Sequence, residues 1–256
     1  MTDTVLYPDL AGSVALVTGG SRGIGAATAA ALAANDVRVA VVGRDATALG
    51  TVAGSIQADG GRAVGIAADC TDEAQLAAVH RQVGEELGRV DICCPFAGGD
   101  GMPVPTADET ASHWRQVVES DLTSSFLTIS AFLPDLIASP RGVVVTMASA
   151  AARQAARSSA AYAAAKAGVV ALTRHLAGEL ARDRIRVNCL APSVVENDRM
   201  RAWLDDDRRE QLASQFPLGR IGQPVDVAAA TLFLASDTSS WITGVTLDIA
   251  GGKVML

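Results

Sequence analysis

Aromatic residues are scarce in this chain, only 4% of 256 residues. A core of useful size must therefore be assembled from Val, Leu, Ile and Ala. That favours a parallel sheet covered by helices on both faces. Histidine occurs only at His80, His113 and His175, scattered over helix-like segments. No metal centre is expected from them. The four cysteines, Cys70, Cys93, Cys94 and Cys189, show no metal-ligand spacing. They read as small buried hydrophobes in a reducing cytoplasm. Positive charge is in deficit: the formal net charge is −7. That argues against a nucleic-acid or anionic-membrane partner. No run of ~18 consecutive apolar residues occurs, so no membrane span is expected. The start, Met1-Thr2-Asp3-Thr4, lacks a basic region and a following apolar stretch, and does not read as a secretory signal. The expected location is cytoplasmic.

What is present is a steady alternation of strand-like and helix-like runs, in a length that suits one large domain over 1–256. Strands are predicted at Val14–Thr18, Val37–Val42, Arg62–Ala67, Val90–Cys94, Gly142–Met147, Ile185–Leu190 and Val245–Ile249. Helices are predicted at Gly23–Ala34, Ala46–Asp59, Asp72–Leu87 with Thr71 as N-cap, Ser112 to about Ile137, and around Tyr162 to about Ala181. The fold class is α/β: a Rossmann-like, doubly wound parallel sheet of about seven strands with helices on both faces. One segment, 193–216, breaks the rhythm. It is polar and mixed, with Met200, Trp203 and Phe216 as its large apolar groups. It reads either as a solvated helical hairpin or as a mobile lid touching substrate.

The stretch Thr18-Gly19-Gly20-Ser21-Arg22-Gly23-Ile24-Gly25 follows the apolar run Val14–Val17 and opens an alanine-rich helix. Strand, glycine turn and helix N-terminus together make a phosphate site, with free N–H groups and a partial positive charge facing the ligand. At the end of the second strand the chain reads Gly43-Arg44, with no carboxylate to repel a 2′-phosphate. Arg44 and Arg22 could pair with that phosphate, which favours NADP(H) over NAD(H). The alternative is that Arg44 is an ordinary surface residue beside Asp45.

Tyr162 and Lys166 stand four residues apart and would share one helix face. Ser149 lies upstream, after Val143-Val144-Val145. With these motifs the sequence resembles the short-chain dehydrogenase/reductase family, in its compact single-domain branch, from about Val14 to Gly252. The resemblance implies Tyr162 as general acid/base, Lys166 holding the nicotinamide ribose and lowering the phenol pKa from its usual ~10, and Ser149 bonding the carbonyl oxygen. It implies cofactor contacts from Gly19, Ser21, Arg22, Gly23, Ile24, Gly25, Arg44, Asp69, Cys70, Ala97, Gly98, Tyr162, Lys166, Pro192 and Val195. Asp69 could instead serve as a helix-capping residue. It also implies a homo-oligomer, a tetramer or a dimer. Candidate interfaces are the two helices Ser112–Ile137 and Ser158–Ala181 and the tail from Ile249 to Leu256.

Several positions depart from that pattern. Pro95-Phe96-Ala97-Gly98 stands where Asn-Asn-Ala-Gly is usual, and Phe96 would wall the cofactor. Asp121 replaces a relay Asn, and would place negative charge near Lys166. Ser193 replaces a Gly, and Asn197 a cofactor-contacting Thr. Phe96, Met102, Val195, Met200 and Trp203 favour a hydrophobic carbonyl compound, either a small molecule or a carrier-linked acyl chain. Three functions stay open: a ketone/secondary-alcohol oxidoreductase, a dinucleotide-binding protein with little redox turnover, and a non-redox enzyme on the same scaffold.

Overall fold

The computed structural model describes residues 6–99, 101–198, 200 and 204–255. Trp203 and Leu256, singled out above, lie outside them. Seven strands, β1 Val14–Thr18, β2 Arg38–Gly43, β3 Ala63–Ala67, β4 Ile92–Pro95, β5 Val143–Met147, β6 Arg186–Pro192 and β7 Thr246–Ile249, form one sheet in the order β3-β2-β1-β4-β5-β6-β7. Every pairing is parallel. The helices are α1 Gly23–Ala33, α2 Ala46–Ala58, α3 Glu73–Glu86, α4 Ala111–Val118, α5 Ser124–Ala138, α6 Ala160–Leu180, α7 Asp206–Ala213 and α8 Pro224–Ala235.

The near-continuous apolar strands follow from burial on both faces. Alternate residues of β1 serve opposite cores. Ala15 and Val17 pack with Leu32, Leu49 and Leu234, from α1, α2 and α8. Val14 and Leu16 pack with Val83, Phe132, Leu136 and Leu180, from α3, α5 and α6. Chain direction across the sheet reverses between β1 and β4. At such a reversal the loops leaving the strand ends part, and a crevice opens. The glycine turn after β1 and the Pro95–Gly99 segment after β4 form its two lips.

Polar ties hold this frame. Asp91 accepts from the Val14 amide at 2.9 Å and from Ser139 Oγ at 2.6 Å. Arg186 donates to the carbonyls of Leu234, Ala235 and Ser236 and to Ser239 Oγ, which places a cation on the C-terminus of α8.

Two expected elements differ in detail. The N-cap of α3 is Asp72, not Thr71: the Asp72 carboxylate accepts from the amides of Ala74 and Gln75. Thr71 is engaged by Asp69, whose Oδ1 accepts both its amide and its hydroxyl. The helix expected from Ser112 to Ile137 is interrupted by a π-helical turn at Glu119–Thr123. Ser124 Oγ donates to the Ser120 carbonyl at 2.6 Å and Ser125 Oγ to the Asp121 carbonyl at 3.4 Å, so hydroxyls compete for the backbone acceptors there.

The four cysteines are free and buried. Burial pushes the Cys70 thiol up to about 11 and drives Cys93 and Cys94 upward as well. Among the described residues no helix is long and apolar enough to cross a membrane.

Candidate active site

The glycine turn is shaped by contacts that leave no room for side chains. Gly19 has φ +65°, and a Cβ there would lie 2.7 Å from the Phe96 carbonyl oxygen. A Cβ on Gly25 would run into the Gly19 carbonyl. The turn thus folds tightly against the first turn of α1 and against the β4 lip, leaving backbone N–H groups at the crevice. This cradle fits a dinucleotide pyrophosphate on a helix N-terminus.

The crevice, a cavity of about 320 Å³, brings together most of the residues picked from the sequence. Gly19, Arg22, Gly23, Ile24 and Gly25 line one wall, and Ser149, Tyr162, Lys166, Pro192 and Val195 the other. Gly98 and Phe96 complete it; Phe96 is buried and also packs with the core around β1 and α1. Six picks do not line it: Ser21, Arg44, Asp69, Cys70, Ala97 and Asp121. Ala97 points elsewhere, its amide donating to Thr18 Oγ1 at 3.0 Å. Arg44, Asp69 and Cys70 follow the ends of β2 and β3. The Thr71 hydrogen bonds hold the Asp69 carboxyl below its ordinary value, with Arg44 assisting. Asp69 therefore organises the loop into α3 through Thr71, while the capping role considered for it falls to Asp72. The Cys70 side chain is turned inward, toward Thr18 and Thr128, so only its backbone faces the loop surface. Ser21 is half-buried near Gly43.

Ser149 caps a short turn, Oγ accepting from the Ala151 amide at 3.2 Å. Tyr162 and Lys166 sit in the first turns of α6, where Ser159 is the N-cap and accepts from the Tyr162 amide. The Lys166 ammonium lies 5.6 Å from the Tyr162 ring centroid. It donates to the Met147 carbonyl at 3.1 Å and is paired with Asp121 Oδ1 at 2.9 Å. Both partners are essentially buried. Burial alone would push the Lys166 pKa down. The Asp121 carboxylate and, secondarily, Tyr162 outweigh it, and the net direction is upward.

Asp121 is held from three sides. Oδ1 also accepts from the Gly99 amide at 2.7 Å, and Oδ2 from Ser120 Oγ at 2.8 Å. A Cβ at Gly98 would lie 2.7 Å from Asp121 Oδ1. The π-helical turn thus delivers a carboxylate to the Lys166 side of the crevice, a known habit of such turns at functional sites. Sequence reasoning picked Asp121 but not Met147, Gly99 or Ser120. Met147 and Gly99 act through their backbones and leave no residue-type signal; Ser120 acts through its hydroxyl.

Beyond Tyr162 the crevice widens into a second cavity of about 1220 Å³. Met102, Val195 and Met200 line it, as expected for an apolar pocket. So does Leu212 of α7, which the sequence reading had assigned only to a lid or a hairpin. Gly101 places its backbone against the Tyr162 ring, a potential Cβ falling 3.2 Å from it. Ser193 takes an ordinary backbone conformation, its amide donating to the Ile249 carbonyl at 3.1 Å, so Gly is not required there. Asn197 Oδ1 accepts from the Met200 amide at 2.9 Å, a capping role. Among the described residues no three His, Cys, Asp or Glu side chains cluster as a metal would require.

The chain is similar to proteins that carry this architecture. A family model described as enoyl-(acyl carrier protein) reductase matches residues 19–253. The 3-oxoacyl-[acyl-carrier-protein] reductase of Escherichia coli K12 is 36% identical over 96% of this chain and 98% of its own length. A cis-4-hydroxycyclohexanecarboxylate dehydrogenase from Sinomonas cyclohexanicum is 37% identical over 93% of this chain and 95% of its own. An NADPH-bound short-chain oxidoreductase of Pseudomonas aeruginosa PAO1, described as having an atypical catalytic center, superposes with TM-score 0.90 at 33% identity, covering 95% of this chain and 97% of that one. With the glycine cradle, the parallel sheet and these full-length matches, the chain belongs to the short-chain dehydrogenase/reductase family of NAD(P)(H)-dependent oxidoreductases.

Proposed function

We propose that this enzyme interconverts a ketone and a secondary alcohol on a largely hydrophobic small molecule or a carrier-linked acyl chain, with NADP(H) preferred. The observation that carries this reading is the convergence of Ser149, Tyr162 and Lys166 on the crevice that the glycine turn lines. When bound, the nicotinamide supplies or accepts the hydride. The chain's residues handle everything else. The Tyr162 hydroxyl gives its proton to the developing alkoxide oxygen, and takes it back in the oxidative direction. Ser149 Oγ accepts from Ala151 and so keeps its own proton for the substrate oxygen. Lys166 has three N–H donors; two go to Asp121 and Met147, and the third is left for a ribose hydroxyl.

NADP(H) preference rests on Gly43, Arg44 and Arg22. Arg22 pairs with Asp45 at 3.0 Å, with the two side chains 65% and 47% exposed. A pair so open is weak, and a 2′-phosphate can displace the carboxylate. The enzyme family fixes a nicotinamide dinucleotide; the preference is read from these residues alone. Steady-state kinetics with NADPH and NADH test it. Arg44→Ala should weaken NADPH and leave NADH nearly unchanged, and equal losses would remove Arg44 from phosphate recognition.

A second reading has one specific observation behind it. Asp121 locks Lys166 more firmly than an uncharged partner would, which favours dinucleotide binding with slow turnover. NADPH binding without consumption across a ketone panel would select that reading.

A further inference from the structure

Lysine is nearly absent from this chain. Of 21 basic residues only Lys166 and Lys253 are lysines. Lys166 lies in the crevice, and Lys253 lines the wider cavity that continues it past Tyr162. Lys253 follows β7 in the turn Gly251-Gly252. Its Nζ rests 4.9 Å from the Phe216 ring centroid and donates to Gln215 Oε1 at 2.9 Å. The ammonium therefore has an aromatic bed and one neutral acceptor. The residue is half-buried, and its ammonium stands at the cavity's solvent-facing rim.

The charge balance of the cavity points the same way. Its charged lining is Arg22, Arg157, Lys253 and Asp198. In a protein with formal net charge −7, three cations and one acid thus border this cavity, Arg22 being also paired with Asp45 at 3.0 Å. The remaining lining is mainly apolar or small, including Met102, Met200 and Leu212. Such a space suits a molecule with an apolar body and one anionic end.

We propose that Lys253 anchors a carboxylate of the substrate, so that the cavity takes a free keto acid or hydroxy acid in preference to a neutral ketone or a carrier-linked thioester. The proposal rests on the oxidoreductase reading for the reaction but not for the binding. The carboxylate displaces the Gln215 side chain as acceptor at Nζ, and the apolar body lies over Met200 and Leu212 toward Ser149 and Tyr162. A single charge-assisted contact of this kind changes affinity by about tenfold or more.

The test compares three forms of one chain, 5-oxohexanoate, its methyl ester and its N-acetylcysteamine thioester, with NADPH. The expected kcat/KM for the acid exceeds that for the ester and the thioester by at least tenfold. Lys253→Met should raise KM for the acid by at least tenfold, with kcat and both neutral substrates within twofold. Lys253→Arg should keep the preference for the acid. Calorimetric titration of the NADP⁺-loaded protein with the acid and the ester gives a readout independent of turnover. Tighter binding of the acid, lost in Lys253→Met, supports the anchor. If such binding occurs with no turnover of any form, the reaction class fails while the anchor stands. Equal binding of acid and ester, a preference for the thioester, or a Lys253→Met defect shared by all three forms would overturn the anchor.

Discussion

Tyr162, Lys166 and Asp121 divide the labour at the residue scale. Tyr162→Phe removes only a hydroxyl. Turnover should fall by roughly 10²–10⁴-fold, the range for a lost general acid, while NADPH titration by fluorescence stays near wild type. Lys166→Ala should damage both turnover and cofactor binding. Asp121 is the charge that lets a buried lysine stay protonated. In the folded protein the Lys166 pKa lies above its ordinary 10.5. The pair's stabilising effect is therefore complete below that value and is lost as pH rises through the raised one. Asp121→Asn keeps the size and one acceptor oxygen but removes the anion. Burial then acts on Lys166 unopposed by that charge, and its proton leaves at lower pH. The alkaline limb of kcat for alcohol oxidation should shift downward. Superimposable profiles for the two proteins would uncouple Asp121 from the site.

At the scale of elements, the informative features are the π-helical turn, helix α7 and the cap on α8. The glycine turn and the Tyr162/Lys166 face were legible in the sequence because each is local: a few residues define the shape they need. Strand limits shifted by one or two residues, since the register between neighbouring strands decides where pairing stops. The π-helical turn was not legible. It depends on Ser124 and Ser125 capturing carbonyls and on Asp121 meeting Lys166 and Gly99, distant in sequence. Thr71 was the cap expected for α3; Asp69 engages it, and Asp72 caps the helix instead. Helix α7 is tied down by Arg209, which reaches the buried Glu196 carboxylate at 3.1 Å; Gln223 holds the other oxygen at 2.6 Å. If α7 covers substrate, as we propose, Arg209→Met should loosen it and raise KM several-fold with less change in kcat. Arg186 caps α8 through three carbonyls. Arg186→Met should lower stability by about 2 kcal/mol or more, read as a fall in denaturant midpoint with the denaturant slope unchanged.

For the whole molecule, several exposed apolar side chains lie on the segments expected to form interfaces. Trp114, Phe126 and Ile137 lie on α4 and α5, and Val245, Leu247 and Met255 on the β7 edge and the tail. We predict a homo-oligomer, a tetramer in the first instance. Light scattering at micromolar concentration should give a multiple of 26.2 kDa; a monomer would refute it. The sheet order puts the crevice at the reversal between β1 and β4, an order that the strand pattern alone did not give. The charged lining of the larger cavity was not readable, because Arg22, Arg157, Asp198 and Lys253 come from four separated segments.

The central claim is that Tyr162 performs proton transfer in a ketone–alcohol redox reaction driven by a nicotinamide dinucleotide. One measurement addresses it most directly: NADPH consumption with a ketone panel, for wild type and Tyr162→Phe, with the product mass recorded in the same reactions. The account predicts consumption by wild type, a product two hydrogens heavier than the ketone, and a loss of at least 10²-fold in Tyr162→Phe with NADPH binding retained. Wild-type activity persisting in Tyr162→Phe, or turnover with no two-hydrogen change in mass, would contradict it.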